Sequence, residues 1–209
     1  MKKISIIDYG LCNIFNVVEA FKHIGCKVIV TDQIDKINKA DYLVLPGVGA
    51  FKNGMSGLNN KRLIEPVINY IKQSRPFLGI CLGMQMMMSS SSEFGETLGL
   101  NIIPGHVEKI PNKSGNKIHK IPHIGWNSLI MNDNNSRDLF MKKRNTYPVY
   151  FVHSYMANCD DPAHCIAYTD YNGLKIPAIV KKYNAIGCQF HPEKSGYIGL
   201  DLLKKFIQS

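Results

Sequence analysis

Apolar and polar positions alternate between two rhythms along this chain. Ile4 to Asp8 is a short, nearly unbroken apolar run and predicts a strand. Ile14, Val17, Val18 and Phe21 then recur at helical spacing and stop near Gly25, which predicts a helix. Val28 to Val30 and Tyr42 to Leu45 predict further strands. Lys61 to Lys72 predicts a second helix, with Leu63, Val67, Ile68 and Ile71 on its inner side. Phe77 to Ile80 is another buried strand, and a methionine-rich helix follows from Leu82 to Met88. That order predicts an α/β fold: an open, mostly parallel sheet with flanking helices. After Gly99 the rhythm changes to short strands at Ile102-Ile103, His106 to Ile110, Val149 to Val152, Cys165 to Tyr168, Ala178 to Lys181 and Ala185 to Phe190. These predict a second, smaller mixed or antiparallel layer before a closing helix from Gly196 to Ile207. Asn112 to Lys120 and Asn132 to Asn135 read as polar loops.

Length and composition narrow the class. A chain of 209 residues with 45% hydrophobic content fits one domain, 1–209, with a sizeable core. No apolar run approaches the roughly 18 residues of a membrane span. Met1-Lys2-Lys3 leads directly into the first strand, too short for a signal-peptide core, so a cytoplasmic location is expected. The formal net charge of +9 comes almost wholly from scattered lysine, because arginine supplies only four of the 25 cationic residues. Phosphate readers that bind bidentately use arginine, so no nucleic-acid partner is expected. A basic face meeting an acidic protein partner stays open. The six cysteines form no C-x-x-C pair, and no histidine or cysteine cluster has zinc-ligand spacing, so neither a disulfide framework nor a metal site is expected. Five of the six read as small buried apolar residues.

Cys81 is different. Phe77-Leu78-Gly79-Ile80-Cys81-Leu82-Gly83 ends a buried strand on a cysteine flanked by glycines two residues away on each side, with a helix directly behind. This is the cysteine form of a nucleophile elbow: a sharp strand-to-helix turn thrusts the side chain out, and small neighbours allow close approach. A helix N-terminus behind the turn favours a thiolate, and its free N–H groups can hold an oxyanion. A buried structural cysteine between two glycines is the rival reading, so a partner base is required. Gly187-Cys188-Gln189-Phe190-His191-Pro192-Glu193 provides one: His191 at a strand end, with Glu193 placed to orient its ring.

With these residues the chain resembles the class I glutamine amidotransferases, the triad-type glutaminases. The resemblance is carried by Ile7-Asp8-Tyr9-Gly10 with Asn13, Leu45-Pro46-Gly47-Val48-Gly49-Ala50-Phe51, the Cys81 elbow and His191-Pro192-Glu193. Pro122-His123-Ile124-Gly125-Trp126-Asn127 and Phe151-Val152-His153-Ser154-Tyr155 extend it nearly end to end. Within the family the match points to the glutaminase subunits, HisH type, of imidazole glycerol phosphate synthase. The resemblance implies Cys81, His191 and Glu193 as catalytic triad, and Val48, Gly49 and Leu82 as the oxyanion hole. It implies Gln85, Glu93, His153, Ser154 and Tyr155 around the substrate glutamine, with Glu93 pairing the ammonium. By periodicity alone Gln85 is an ordinary helix residue and Glu93 an ordinary solvated charge.

The same resemblance implies no cofactor and a synthase partner, a (β/α)8-barrel cyclase of the HisF type, forming a heterodimer through Trp126, Tyr150 and Lys194. A lone Trp is as often a core residue. Gly47-Val48-Gly49 lacks a third glycine at dinucleotide spacing, and no G-x-x-x-x-G-K-S/T occurs, which disfavours nucleotide cofactors. Three alternatives remain at this point: a paralogous subunit supplying ammonia to another synthase such as a sugar-amidating one, a stand-alone γ-glutamyl hydrolase, and a catalytically silent regulatory subunit.

Overall fold

The computed structural model of the chain describes residues 2–11, 14–132, 139–140 and 144–208. Asn13 of the first motif and most of the loop expected at Asn132 to Asn135 lie outside the described residues. The first half runs β1 (Lys3–Ile7), α1 (Ile14–His23), β2 (Lys27–Thr31), α2 (Ile34–Asn38), β3 (Tyr42–Leu45), α3 (Phe51–Asn60), α4 (Ile64–Lys72), β4 (Phe77–Ile80) and α5 (Leu82–Met86). The second half runs β5 (Ser90–Ser91), β6 (Thr97–Leu98), β7 (Gly105–Lys109), β8 (Lys113–Ser114), β9 (Lys117–Ile118), β10 (His123–Met131), β11 (Pro148–His153), β12 (Tyr155–Cys159), β13 (Cys165–Tyr171), β14 (Leu174–Lys182), β15 (Ala185–Cys188) and α6 (Gly196–Phe206). None of the helices among the described residues is long and apolar enough to cross a membrane.

One large sheet has the order β11-β10-β13-β14-β15-β4-β3-β1-β2, and a smaller one the order β12-β7-β5-β6. The half from β15 to β2 is parallel, and its central strands are buried on both faces, as the continuous apolar runs require. The half from β15 out to β11 is antiparallel. Four segments expected in a second layer therefore extend the large sheet instead. Tight turns explain this: Asn172 and Gly173 both have positive φ, the geometry of a two-residue hairpin, and they fold β14 straight back onto β13. The smaller mixed sheet is built from β7 and three strands that periodicity did not mark.

Other corrections have local causes. Ile102-Ile103 is not a strand. The N–H groups of residues 100–103 instead take the carbonyls of Met86, Met87 and Met88, closing the end of α5, which is two residues shorter than expected. The expected loop over Asn112 to Lys120 contains the small β8–β9 hairpin. The second helix starts at Ile64 because Arg62 has a φ of 56°, outside the helical region. α3, rich in Gly and Asn, forms because its glycines allow contact: a Cβ on Gly57 would lie 2.6 Å from the Tyr9 carbonyl, and one on Gly54 2.7 Å from the Met86 sulfur. Packing there outweighs helix propensity.

The topology puts three strand ends side by side. Leu45 pairs with Gly79, and Cys188 with Ile80, so β3, β4 and β15 end together in parallel. Ligands of open α/β sheets bind outside such carboxyl ends. The chain leaves these three strands as Pro46-Gly47-Val48-Gly49, as Cys81, and as Gln189-Phe190-His191.

Candidate active site

Cys81 caps β4 with φ 54° and ψ −108°, a conformation costly for any residue with a side chain. The turn survives because its neighbours overdetermine it. The Cys81 N–H donates to the Cys188 carbonyl at 2.7 Å, continuing the β4–β15 ladder by one step. A Cβ on Gly83 would run into the Leu45 carbonyl oxygen, and one on Gly79 would lie 2.8 Å from Gly83 backbone. The two glycines of the motif thus let α5 fold back against β3 and β4. The Cys81 side chain is buried at the wall of a cavity of about 270 Å³. This lies near the small end of ligand pockets, about 300–1,000 Å³, as a single amino acid would require.

The cavity wall carries Val48, Gly49, Cys81, Leu82, Gln85, Glu93, Val152, His153, Ser154, Tyr155 and His191. Nearly every residue expected at the site is there; Glu193 stands one layer behind. Glu193 Oε1 lies 2.7 Å from His191 Nδ1, and both side chains are only 4% exposed. A 3-10 turn at Pro192–Lys194 brings the carboxylate back under the ring. The loop is fastened by the His191 N–H donating to the Tyr150 carbonyl, the Ser195 hydroxyl to the His191 carbonyl, and the Tyr150 N–H to Ser195 Oγ. His191 Nε2 is buried without a formed hydrogen bond, and Cys81 is the group whose proximity raises it. Burial opposes the imidazolium, but Cys81 and Glu193 outweigh burial and push His191 up to about 10. Cys26, Cys159, Cys165 and Cys188 are all raised by burial, which keeps them protonated and unreactive.

Two of the expected residues are held by specific partners. Glu93 is buried, not solvated: its Oε2 accepts the Phe51 N–H at 2.7 Å, capping α3 directly after the Gly49 turn. Gln85 spends both amide hydrogens, donating at 3.0 Å to the Tyr155 carbonyl and at 3.0 Å to Gln189 Oε1. Only its Oε1 remains to face a ligand, and that atom can only accept.

Of the three expected oxyanion residues, Leu82 and Val48 both have their N–H groups turned to backbone carbonyls. The Leu82 N–H points at the Gly47 carbonyl at 3.4 Å, and the Val48 N–H at the Leu11 carbonyl at 3.4 Å. Gly47 C=O and Val48 N–H belong to one peptide unit. Turning that unit over removes both contacts at once, releasing Leu82 and swinging the Val48 N–H away from Leu11. Trp126, Tyr150 and Lys194 are outside the cavity. Trp126 is 56% exposed, stands opposite Tyr150 across the β10–β11 ladder with ring centroids 6.0 Å apart, and shares its face with exposed Ile124. Lys194 is exposed and borders a small gap with Val48, His191 and Glu193.

The sequence reading missed the roles of Gln189, Ser195 and His123, the last of which is buried against the expected His153. Strand alternation was the available signal for Gln189, two residues before His191 and hence on the same side. His153 Nδ1 lies 2.8 Å from the Tyr155 carbonyl, and His123 Nδ1 3.0 Å from His153 Nε2. Burial holds His123 down to about 4 and His153 to about 3, so both rings are neutral in the folded chain. Unfolded, each takes a proton near pH 6.5. The unfolded state binds more protons below that, so stability falls with pH from 6.5 toward 3. His153 alone is worth a loss of about 2 kcal/mol at pH 5. His191 works in the opposite sense: its contribution is complete below pH 6.5 and fades as pH climbs toward 10. Urea unfolding at pH 7 and pH 5 checks this; because His123 contributes a similar loss, His153→Gln is expected to remove about half of the acid loss of the pair, and an unchanged loss would contradict it.

Comparison with known proteins gives a consistent picture. Residues 5–208 match the family described as glutamine amidotransferase class-I. The chain is 45% identical to "Imidazole glycerol phosphate synthase subunit HisH 1" of Legionella pneumophila (strain Paris), covering 100% of both chains. It is 46% identical to the HisH subunit of Lactococcus lactis subsp. lactis (strain IL1403), covering 100% of this chain and 99% of that one. Among solved structures, a glutamine amidotransferase crystal structure aligns with TM-score 0.74 at 14% identity, over 98% of this chain and 97% of that one. PurLQS from Thermotoga maritima aligns with TM-score 0.72 at 18% identity, over 99% and 98%. These two likenesses show the fold.

Proposed function

The chain belongs to the class I glutamine amidotransferases, and we propose that it is the glutaminase subunit of an imidazole glycerol phosphate synthase. It hydrolyses glutamine to glutamate and ammonia, and a synthase partner consumes the ammonia in histidine biosynthesis. The observation that carries the chemistry is the shared cavity of Cys81 and His191, with Glu193 hydrogen-bonded behind the ring. The full-length likeness to HisH subunits carries the pathway.

In this reading the Cys81 sulfur reacts as a thiolate beside the imidazolium of His191, which is raised to about 10. The sulfur attacks the side-chain carboxamide carbon of glutamine, and the carbonyl oxygen becomes an oxyanion. Collapse breaks the C–N bond while His191 Nε2–H protonates the departing nitrogen, releasing ammonia and leaving a γ-glutamyl thioester. The now neutral His191 takes a proton from water, which attacks the thioester carbon. Expulsion of the sulfur gives glutamate and restores the ion pair. Glu193 accepts Nδ1–H throughout, which keeps Nε2 facing the sulfur. Glu93 and the free Oε1 of Gln85 present negative charge and an acceptor to the substrate ammonium, and the backbone of His153, Ser154 and Tyr155 lines the opposite wall.

The oxyanion is met by Leu82 N–H and the Gly47–Val48 peptide, with Gly49 giving the turn its freedom at φ 97°. Both donors point at backbone carbonyls here, so the free subunit is a poor glutaminase until that peptide turns. The partner is a (β/α)8-barrel cyclase of the HisF type, seated on the face with Ile124, Trp126, Tyr150 and Lys194. Docking there acts on the site through Tyr150, whose carbonyl holds the His191 N–H, and through Lys194 beside Val48. A strain lacking its own glutaminase subunit tests the pathway. Co-expression of this chain with the cyclase from the same genome is expected to restore growth without histidine. Failure, with glutaminase activity intact in vitro, would assign the ammonia to a different synthase.

A further inference from the structure

Gln189 is fully buried, and its Nε2 donates to Cys81 Sγ at 3.7 Å. A glutamine amide can face a sulfur with either end, and the two ends have opposite effects. The NH2 end stabilises a thiolate, whereas the carbonyl end repels it. Here the choice is made by a chain of groups that leads back to one backbone carbonyl. Tyr155 C=O can only accept. It accepts from Gln85 Nε2, which turns the Gln85 amide so that its second hydrogen reaches Gln189 Oε1. With its oxygen committed to Gln85, Gln189 has only its NH2 end to offer Cys81.

The same carbonyl orders a second branch. It fixes the proton of His153 on Nδ1, so His153 Nε2 accepts from His123 Nδ1, and His123 Nε2 accepts from the Asn127 amide at 3.2 Å. Phe151 and Tyr171 stack on His123 with centroids at 4.8 and 4.1 Å, which fixes the plane of its ring. The Tyr155 carbonyl is thereby held from two sides, and the polarity of the network is single-valued.

We propose that Gln189 is a further catalytic residue, a buried N–H donor that stabilises the Cys81 thiolate, with its orientation dictated by Gln85 through the Tyr155 carbonyl. The inference rests on Cys81 being the nucleophile, but its test reads the thiol and not the turnover. A hydrogen bond to a charged group is strong enough to move a pKa by roughly one unit. Alkylation of the full-length chain by iodoacetamide, followed at Cys81 by mass spectrometry from pH 5 to 10, reports that pKa. In Gln189→Leu the profile is expected to move up by roughly one unit, with about tenfold slower alkylation at pH 6. In Gln189→Glu, which keeps the shape and reverses the polarity, the move is expected to be larger. Profiles matching wild type in both variants would overturn the proposal.

A measurement on the wild-type chain removes dependence on how the variants fold. The side-chain amide nitrogen of Gln189 is expected to shift in NMR spectra as Cys81 ionises, and to stay constant in Cys81→Ala. An amide signal indifferent to Cys81 ionisation would equally overturn it. Should Cys81→Ser retain glutaminase activity, the functional reading fails while these thiol measurements keep their meaning.

Discussion

Cys81→Ser is expected to lower ammonia release from glutamine by on the order of 10⁴-fold or more, with the fold unchanged. The substitution is nearly isosteric, and the Cys81 sulfur is in no disulfide. What is lost is the nucleophile's ionisation. Set against the Val152 carbonyl, which lies 4.0 Å from the sulfur as an acceptor for a thiol, three features favour an anion: His191 raised to about 10 beside it, the Gln189 amide pointing at it, and Glu193 fixing the imidazole. A serine hydroxyl ionises far less readily than a thiol, so an arrangement tuned for a thiolate–imidazolium pair leaves it protonated. Circular dichroism and thermal unfolding like those of wild type, together with a lost glutaminase rate, would meet the expectation. Retained turnover would refute the nucleophile assignment.

The second large effect concerns the partner. Glutaminase activity of the isolated chain is expected to rise about 100- to 1,000-fold when the cyclase is bound, the typical worth of an oxyanion-hole donor. The magnitude follows from the backbone. Leu82 N–H and Val48 N–H both point at carbonyls, and a single peptide unit, Gly47–Val48, supplies one of those carbonyls and one of those donors. Gly47 permits close approach: a Cβ there would lie 2.9 Å from the Leu82 Cβ. Val48 is 39% exposed, so a docked partner reaches the turn directly. Steady-state rates with and without the cyclase decide the matter, and equal rates would exclude gating by this peptide.

Much of this site is legible in the amino-acid sequence. The Cys81 elbow and the His191–Glu193 pair announce themselves because catalysis needs special residues at special strand ends, and such residues stand out from apolar runs. The parallel half of the large sheet was readable for the same reason, since strands buried on both faces lose all alternation. In the antiparallel half β11, β13 and β14 were readable as strands but not as members of the large sheet, and β10 was not readable at all. Strand β10 interleaves Gly125 and Asn127 with an exposed Ile124 and Trp126, so its period-2 signal is inverted and weak. α3 hid because Gly54 and Gly57 serve packing, not helix propensity. Gln189 was passed over because a buried amide carries no signature of its own; its meaning lies in which neighbour claims its oxygen. The closed state of the oxyanion turn is a matter of peptide orientation, on which residue identity is silent.

The glutaminase chemistry depends on Cys81 attacking a glutamine side chain bound in this cavity. A glutamine-shaped chloroketone offered to the chain in complex with its synthase tests that most directly, with the adduct located by peptide mass spectrometry. One equivalent on Cys81, blocked by excess glutamine and absent in Cys81→Ser, is the predicted result. An adduct on any other residue, or labelling of Cys81 that glutamine does not slow, would contradict it.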